Sequence, residues 1–520
     1  MRIAALAALA LAFVPDAAAD IDGLRARGPL LIDRRIEEAW KDAGVTPAGV
    51  VDDAGFLRRA HLDLLGSIPT GDEVLAFLKD ARPDKRALKV DELLARPAFA
   101  ENWAAVWENL LVGYNPRNQG DIGPGLFNWL RDEAFAKNLP FDQVARALVT
   151  AKGVSTENGS TAFLLALSRR GGGSIGIASK VSRVFLGTQI ACAQCHDHPF
   201  DRYTQEDFHG VVAFFARVKN RKVDSKNSKD NRYELYDDAK GEASMGEGKA
   251  KKTVPPLFLD GTRPDAGKDR REEFARMMVR PENLQFARAT VNRLWGHFFG
   301  RGFVDPVDDF SGRTKSSHPG LLDELSKEFV DSKFDLKALM RSITTSRPYQ
   351  LSSRRPAAGA PHERFFAYAQ VRPLSPEQLV SALRSAMGPG LNAPAGGDAR
   401  KNAQSQDQLL STFRRAFGDP ENVGVPRFDG TINQALLLMN GQTLTQGIVG
   451  KGGRLAEILA KKDVPEDRLE LLFATILGRL PMAKERLRLL EHVQAGGNKA
   501  AAYEDAAWVL LNSSEFLFNR

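Results

Sequence analysis

Apolar side chains recur at the spacing of an amphipathic helix along most of this chain. Between residues 56 and 65, Phe56, Ala60 and Leu64 fall on one helical face, and Gly66 follows as a helix stop. Alternation of apolar and polar residues, which is typical of strands, is scarce. The sequence therefore predicts a mainly α, multi-helical fold, in which two packed helical domains carry long surface loops and few short strands.

Capping residues support this interpretation because they mark where helices begin. Thr70 is followed three residues later by Glu73, and Thr204 by Asp207, which is the spacing of a capping box. Asp335 is predicted to cap the helix that follows it. Each of these capping signals can be identified from a few neighbouring residues of the sequence.

The N-terminus has the pattern of a secretory signal peptide. Arg2 supplies a positive charge, the stretch Ile3–Val14 is apolar, and Ala17–Ala19 offers small residues for cleavage before Asp20. Residues 1–19 are therefore predicted to be removed near Ala19, which places the protein in the periplasm or elsewhere outside the cytoplasm. No later apolar run reaches about 18 residues, so no membrane span is expected after cleavage.

The charge of the chain is too evenly distributed to predict a nucleic-acid partner. The formal net charge is +7, from 72 basic and 65 acidic residues among 520. No dense basic stripe interleaved with aromatic residues is present in the sequence. The mild excess of positive charge fits a solvated surface.

A polar, charged stretch divides the chain. Residues 219–255 are rich in Lys, Asp, Asn, Ser and Gly and poor in large apolar residues, and they are predicted to be a surface loop or linker. The helical domain before it covers residues 20–218, and the helical domain after it covers residues 256–520.

The densest group of candidate ligands lies at residues 191–201, which read Ala-Cys-Ala-Gln-Cys-His-Asp-His-Pro-Phe-Asp. The stretch contains both cysteines of the chain, Cys192 and Cys195, and two of its eight histidines. The preceding residues, Ile175–Ala191, are predicted to form a helix that presents this motif at its C-terminal end. The helix is not expected to pass Pro199, which lacks a backbone N–H.

The first interpretation of the motif is covalent attachment of c-type haem. Cys-x-x-Cys-His supplies two thiols for thioether bonds to the vinyl groups and an imidazole as the proximal iron ligand. Cys192, Cys195 and His196 match this pattern without a gap. The second axial ligand is then sought among His209, Met277, Met278 and His297.

Two alternatives remain open at this stage. A zinc-like metal could be bound by two sulfurs and two imidazoles, with carboxylates orienting the rings or binding directly. The residues of that site are Cys192, Cys195, His196 and His198, with Asp197 and Asp201 around them. The other alternative is a local Cys192–Cys195 disulfide in a non-catalytic scaffold, because exported proteins normally oxidise paired cysteines.

A weaker candidate cluster lies in the second half of the chain. His297, Asp308, Asp309 and His318 fall within 22 positions and could converge as a metal or acid–base site. Such residues more often cap helices or form buried hydrogen bonds. The sequence assigns no catalytic residue.

Long strings in both halves carry a resemblance to a known family. In the first half they are Arg58–Thr70, Phe185–Gly187 and Cys192–Asp201. In the second half they are Phe286–Arg288, Val291–Gly302, Asp305–Phe310, Ser317–Pro319, Arg372–Ser375, Phe413–Gly418 and Leu511–Phe516. The chain resembles a family of exported proteins abundant in Planctomycetes, with an N-terminal cytochrome-associated domain, DUF1549 or PSCyt2, and a C-terminal domain, DUF1553 or PSD1.

The resemblance implies an architecture and an exported location, and it implies no particular reaction. Together with the Cys-x-x-Cys-His motif, it leads to the expectation of a periplasmic haem c protein that transfers electrons to or from a redox partner protein. A metal-dependent enzyme that uses the same Cys and His residues is the alternative from a different class.

Overall fold

The computed structural model describes nine stretches of the chain. They are residues 21–113, 125–169, 172–223, 232–246, 251–356, 363–388, 408–416, 447–448 and 453–520. The predicted signal peptide, residues 1–19, lies outside them. Within this described part, helices dominate and strands are few and short, so the predicted fold class is confirmed.

Fifteen labelled helices run from the start of the described chain to residue 387. They are α1 Ile21–Asp42, α2 Asp53–Leu65, α3 Gly71–Lys79, α4 Lys85–Ala95, α5 Pro97–Val112, α6 Gly125–Trp129, α7 Phe141–Thr150, α8 Thr161–Arg169, α9 Gly173–Phe185, α10 Gln205–Phe215, α11 Arg270–Val279, α12 Leu284–Phe299, α13 Pro319–Asp331, α14 Leu336–Thr345 and α15 Pro376–Met387. Further helices follow at Arg454–Lys461, Pro465–Leu477, Ala483–Ala495, Ala500–Leu511 and Ser514–Leu517. Short 3₁₀ or π segments lie at Leu130–Phe135, Ile190–Gln194 and Pro348–Gln350.

The capping predictions are confirmed. Both predicted capping boxes are present, with the Thr70 side chain accepting from the backbone N–H of Glu73 and Thr204 from that of Asp207. Asp335 accepts from the backbone N–H of the residue three positions later, at 2.9 Å. These contacts satisfy N–H groups that have no partner within their own helix.

The first helix continues across a proline. Helix α1 begins at Ile21 and includes Pro29. Leu24 is fully buried one turn before the proline, so packing extends the helix in the N-terminal direction. Gly28 permits this packing, because a Cβ atom there would lie 2.4 Å from Oγ of Ser342 in α14.

In the part of the chain that the structure describes, seven short strands form three small antiparallel sheets. The strands are β1 Gly153–Val154, β2 Val218–Val223, β3 Arg232–Asp237, β4 Ala243–Met245, β5 Lys252–Val254, β6 Arg372–Pro373 and β7 Phe518–Asn519. The sheets have the orders β1-β3-β2, β4-β5 and β6-β7. Four of these strands fall in or overlap the segment predicted as a loop, residues 219–255, so that prediction was wrong for its described part. Tyr233 and Leu235 are buried on one face of β3, which gives the hairpin an apolar side to pack.

Two hydrophobic cores hold the described helices together. The first core is built mainly by α1 to α14 and contains both Phe208 and Phe274, which lie on either side of residues 219–255. The second core is built by α15 and the helices after it, together with Leu62 and Ile68 from the N-terminal half. Among the described helices, none is long and apolar enough to cross a membrane.

Candidate functional site

The Cys-x-x-Cys-His motif lies on a turn between two helices. The helix before it, α9, ends at Phe185, and a separate 3₁₀ turn over Ile190–Gln194 presents the cysteines. The predicted helix to Ala191 was therefore too long. Gly187 has φ +61°, and a Cβ atom there would lie 2.6 Å from the ring of Phe310, so the chain turns at a residue where only glycine fits.

Helix α10 holds the end of this turn in place. The backbone carbonyl of Gln194 accepts a hydrogen bond from the side-chain amide of Gln205, at 3.0 Å, and lies 3.3 Å from Nε2 of His209. Ile190 and Ala193 are buried beneath the turn. The turn is thus anchored from below, and its remaining side chains are left on the surface.

Both thiols of the motif are exposed and free. Cys192 and Cys195 are unbonded in the structure, which differs from the disulfide alternative. Ala193 between them points into the core, so the two cysteines lie on the solvent side of the turn. Both thiols are therefore accessible from solvent.

The imidazole of His196 is fixed in one tautomer. Its Nδ1 atom lies 2.7 Å from the backbone carbonyl oxygen of Asp197, and a carbonyl oxygen can only accept. Nδ1 therefore carries the proton, and Nε2 of the exposed ring holds the free lone pair. Histidines that bind metals usually donate one ring N–H to such a carbonyl and bind with the other nitrogen.

His198 has the opposite arrangement. Its Nδ1 accepts a hydrogen bond from the backbone N–H of Phe200, at 3.2 Å, so the neutral ring carries its proton on Nε2. The neighbouring carboxylates are also engaged by the backbone: Asp197 accepts from the N–H of Gln205 at 2.9 Å, and Asp201 from that of Arg202 at 2.8 Å.

The predicted zinc-like set is consequently not assembled. Within the described stretches, no three His, Cys, Asp or Glu side chains come together as a metal-binding group. The same statement covers the weaker cluster, whose four members have separate partners.

The imidazoles of His297 and His318 of that weaker cluster pack against aromatic rings. The ring of His297 packs on that of Trp103, with 4.8 Å between centroids, and burial lowers its pKa to about 4. His318 lies between the rings of Phe303 and Phe366, and its Nδ1 is 3.0 Å from Oγ of Ser317. Burial lowers the pKa of His318 to about 4 as well.

The two aspartates of the weaker cluster have structural partners. Asp308 accepts hydrogen bonds from Nε of Arg183, at 2.5 Å, and from the side-chain amide of Gln189, at 3.0 Å. Asp309 accepts from the hydroxyl of Thr314, at 2.9 Å. Asp308 therefore fixes the chain that leads into the 3₁₀ turn, and this is its visible role in the site.

Of the four side chains considered as a second iron ligand, one lies beside the motif. His209 contacts the turn through the carbonyl of Gln194. Met277 and Met278 are fully buried in the first core, and His297 packs within it against Trp103.

Sequence reasoning missed a buried polar centre around Asp63. This carboxylate, in α2, is 0% exposed and accepts hydrogen bonds from Arg372, Tyr349 and Asn519. Arg59, four residues earlier, donates to the backbone carbonyls of Tyr349 and Leu351. The signal that could have pointed to it is the pair of opposite charges, Arg59 and Asp63, one helical turn apart among the buried apolar residues of α2.

Comparison with known families identifies the two halves of the chain. Residues 31–220 match the family PSCyt2, described as a protein of unknown function (DUF1549), and residues 270–493 match PSD1, described as a protein of unknown function (DUF1553). The chain is a PSCyt2–PSD1 protein. Neither the curated proteins nor the solved structures yielded a match. The 3₁₀ turn with the cysteines lies within the PSCyt2 match.

Proposed function

We propose that this PSCyt2–PSD1 protein is exported and holds a c-type haem covalently, through Cys192, Cys195 and His196, for electron transfer with a redox partner. The observation that carries the proposal is the contact between Nδ1 of His196 and the carbonyl oxygen of Asp197, at 2.7 Å. It leaves Nε2 of an exposed ring as a ready ligand, one residue after an exposed free thiol.

The chemistry of the three side chains fits the group. Each thiol adds across a vinyl group of the porphyrin, so that sulfur bonds to one carbon and the thiol proton passes to the other, and no oxidant is needed. The bound iron would supply one-electron transfer between two oxidation states. Because the turn is anchored by Gln194 and Ala193, the chain would hold the ligand set on a rigid base.

Export is part of the same proposal. The signal-peptide pattern of residues 1–19 directs the chain out of the cytoplasm. Covalent attachment of c-type haem also takes place outside the cytoplasm. The exposed position of the motif also leaves room for a partner to approach. Phe200, five residues after Cys195, is 53% exposed, and the guanidinium of Arg313 stacks on its ring at 3.7 Å. The exposed ring and the guanidinium above it offer a redox partner one apolar and one cationic contact beside the motif.

The test is expression of the full chain in the periplasm together with haem-maturation machinery. The purified protein is expected to be red and to keep its haem through acid–acetone extraction, with a positive haem stain on a denaturing gel. Removing both thiols by Cys192→Ala and Cys195→Ala should abolish the covalent stain. His196→Ala should change the absorption spectrum of any haem that is still attached.

The matched control is His198→Ala, two residues from His196. Because Nδ1 of His198 is occupied by the N–H of Phe200, this variant should keep covalent haem and an unchanged spectrum. A colourless wild-type protein, or equal losses in the His196 and His198 variants, would overturn the proposal.

A further inference from the structure

A surface cavity of about 500 Å³ lies between α1, α4 and α14, far along the chain from the cysteine motif. Its wall includes three cationic side chains, Arg25, Lys337 and Arg341, and a single carboxylate, that of Asp91. Leu94 contributes an apolar side. The cavity therefore combines an excess of positive charge with a patch for a hydrocarbon group.

The carboxylate is already neutralised by one of the cations. Nε and Nη2 of Arg341 donate to the two oxygens of Asp91, at 2.7 and 3.1 Å, in a bidentate pair. Nη1 of the same guanidinium donates to the backbone carbonyl of Arg25, at 3.0 Å, which ties α14 to α1. Two positive charges, those of Arg25 and Lys337, remain without a carboxylate in the cavity wall.

Lys337 is held in surroundings that disfavour its charge. It is the second residue of α14, at the positive end of the helix dipole. Burial lowers the pKa of its ammonium group; the nearby Asp335 carboxylate raises this pKa, and the positive charge of Arg25 lowers it further. Its ammonium lies 4.8 Å from the ring centroid of Phe99. Within the described residues it forms no ion pair.

The guanidinium of Arg25 also has too few hydrogen-bond acceptors around it. Its Nε atom is buried and has no hydrogen-bond partner in the described part of the chain. That Nε is out of reach of a molecule in the cavity, but Arg25 also lines the cavity wall, and the terminal N–H groups of its guanidinium can donate to an anion there. Arg25 in α1 and Lys337 in α14 thus both lack an anionic partner in the cavity wall.

We propose that this cavity binds a small organic oxyanion, a carboxylate or a sulfate ester, between Arg25 and Lys337, with its apolar body against Leu94. The bidentate Arg341–Asp91 pair closes one side and limits the site to a single anionic group, because a second would meet the Asp91 carboxylate.

The experiment is calorimetric titration of the full chain with benzoate, phenyl sulfate and inorganic sulfate at constant ionic strength. Benzoate or phenyl sulfate is expected to bind, and the difference between them identifies the preferred oxyanion. Lys337→Met and Arg25→Gln should each weaken binding about tenfold or more, the loss of one charge-assisted hydrogen bond. Lys337→Arg, which keeps the charge, should retain most of the affinity.

The matched control is Arg27→Gln on the same helix. Arg27 carries the same charge but pairs with Glu328 at 3.6 Å, so its removal should leave the affinity unchanged. Melting temperatures of all variants separate loss of binding from loss of folding. As a second readout, the pKa of Lys337, followed by NMR of the methylated amine, should rise when the anion binds.

Absence of binding by both benzoate and phenyl sulfate would overturn the proposal, and so would an equal loss of affinity in the Arg27 and Lys337 variants. Equal affinities for inorganic sulfate and phenyl sulfate would overturn the role of the apolar side. None of these outcomes depends on haem.

Discussion

One guanidinium nitrogen of Arg372 donates to both carboxylate oxygens of Asp63, at 2.8 and 2.9 Å. The hydroxyl of Tyr349 and the side-chain amide of Asn519 each donate to the same carboxylate at 2.8 Å. Strands β6 and β7 place Arg372 opposite Asn519, so the end of the chain and α2 meet at one fully buried charge. Asp63 is satisfied only when these distant segments are in place.

Removing the cation of this pair should destabilise the protein strongly. Arg372→Met leaves the buried Asp63 carboxylate without its counter-charge, and we expect the free energy of unfolding to fall by about 3–5 kcal/mol. The measurement is the shift of the midpoint of unfolding in guanidinium chloride. Lys461→Met is the control, because its ion pair with Asp72 is exposed and should contribute about 0–1 kcal/mol. Comparable shifts in the two variants would contradict the prediction.

The contrast between helix caps and the Asp63 centre explains how much of the fold the sequence could predict. Thr70 and its partner Glu73 are three residues apart, so the cap follows from local chemistry. Asp63 and Arg372 are 309 positions apart, and only the folded chain brings them together. Helices and caps were therefore predictable, whereas the contacts that join the halves were not.

Buried histidines should make stability depend on pH. Burial lowers the pKa of His318 from 6.5 to about 4, so between these values the unfolded chain binds a proton that the folded protein does not. Stability is full above pH 6.5 and should fall by about 3 kcal/mol as the pH drops to 4. The variant His318→Leu should lose this part of the dependence of the unfolding free energy on pH. The measurement is the set of denaturation midpoints between pH 7 and pH 4. An unchanged slope in His318→Leu would contradict the prediction.

The exposed cysteines should react readily when haem is absent. Cys192 and Cys195 are free and accessible, so protein made without haem maturation and kept reduced should release two equivalents of thionitrobenzoate from Ellman's reagent without denaturant. After haem attachment the same titration should give none. If the reduced native protein reacted only after denaturation, the exposed arrangement of the thiols would be wrong.

The candidate site was predictable in composition but not in placement. Its ligands are adjacent in sequence, so the motif could be found without a fold. The sequence placed the end of the preceding helix wrongly, because the helix ends where the chain contacts Phe310, a residue distant in sequence. The backbone N–H of Phe310 donates to the carbonyl of Gly187 at 2.9 Å. The tautomer of His196 depends on a backbone carbonyl whose direction the sequence does not give.

Two glycine substitutions near the motif should have opposite effects on stability. Gly187→Ala places a methyl group 2.6 Å from the Phe310 ring at a φ of +61°, so we expect the free energy of unfolding to fall by about 2 kcal/mol or more. Gly176→Ala lies inside α9 with nothing within 4 Å of the added carbon, and should raise it by about 0.5–1 kcal/mol.

Denaturation midpoints of the two variants and of the wild type provide the measurement. Both changes add one methyl group within the same region of the chain, so a general effect of alanine would shift both midpoints in one direction. Opposite shifts would show that Gly187 is required by the turn and by Phe310. A Gly187→Ala variant as stable as the wild type would mean that the chain can leave α9 in another way, and the anchored 3₁₀ turn would lose its support.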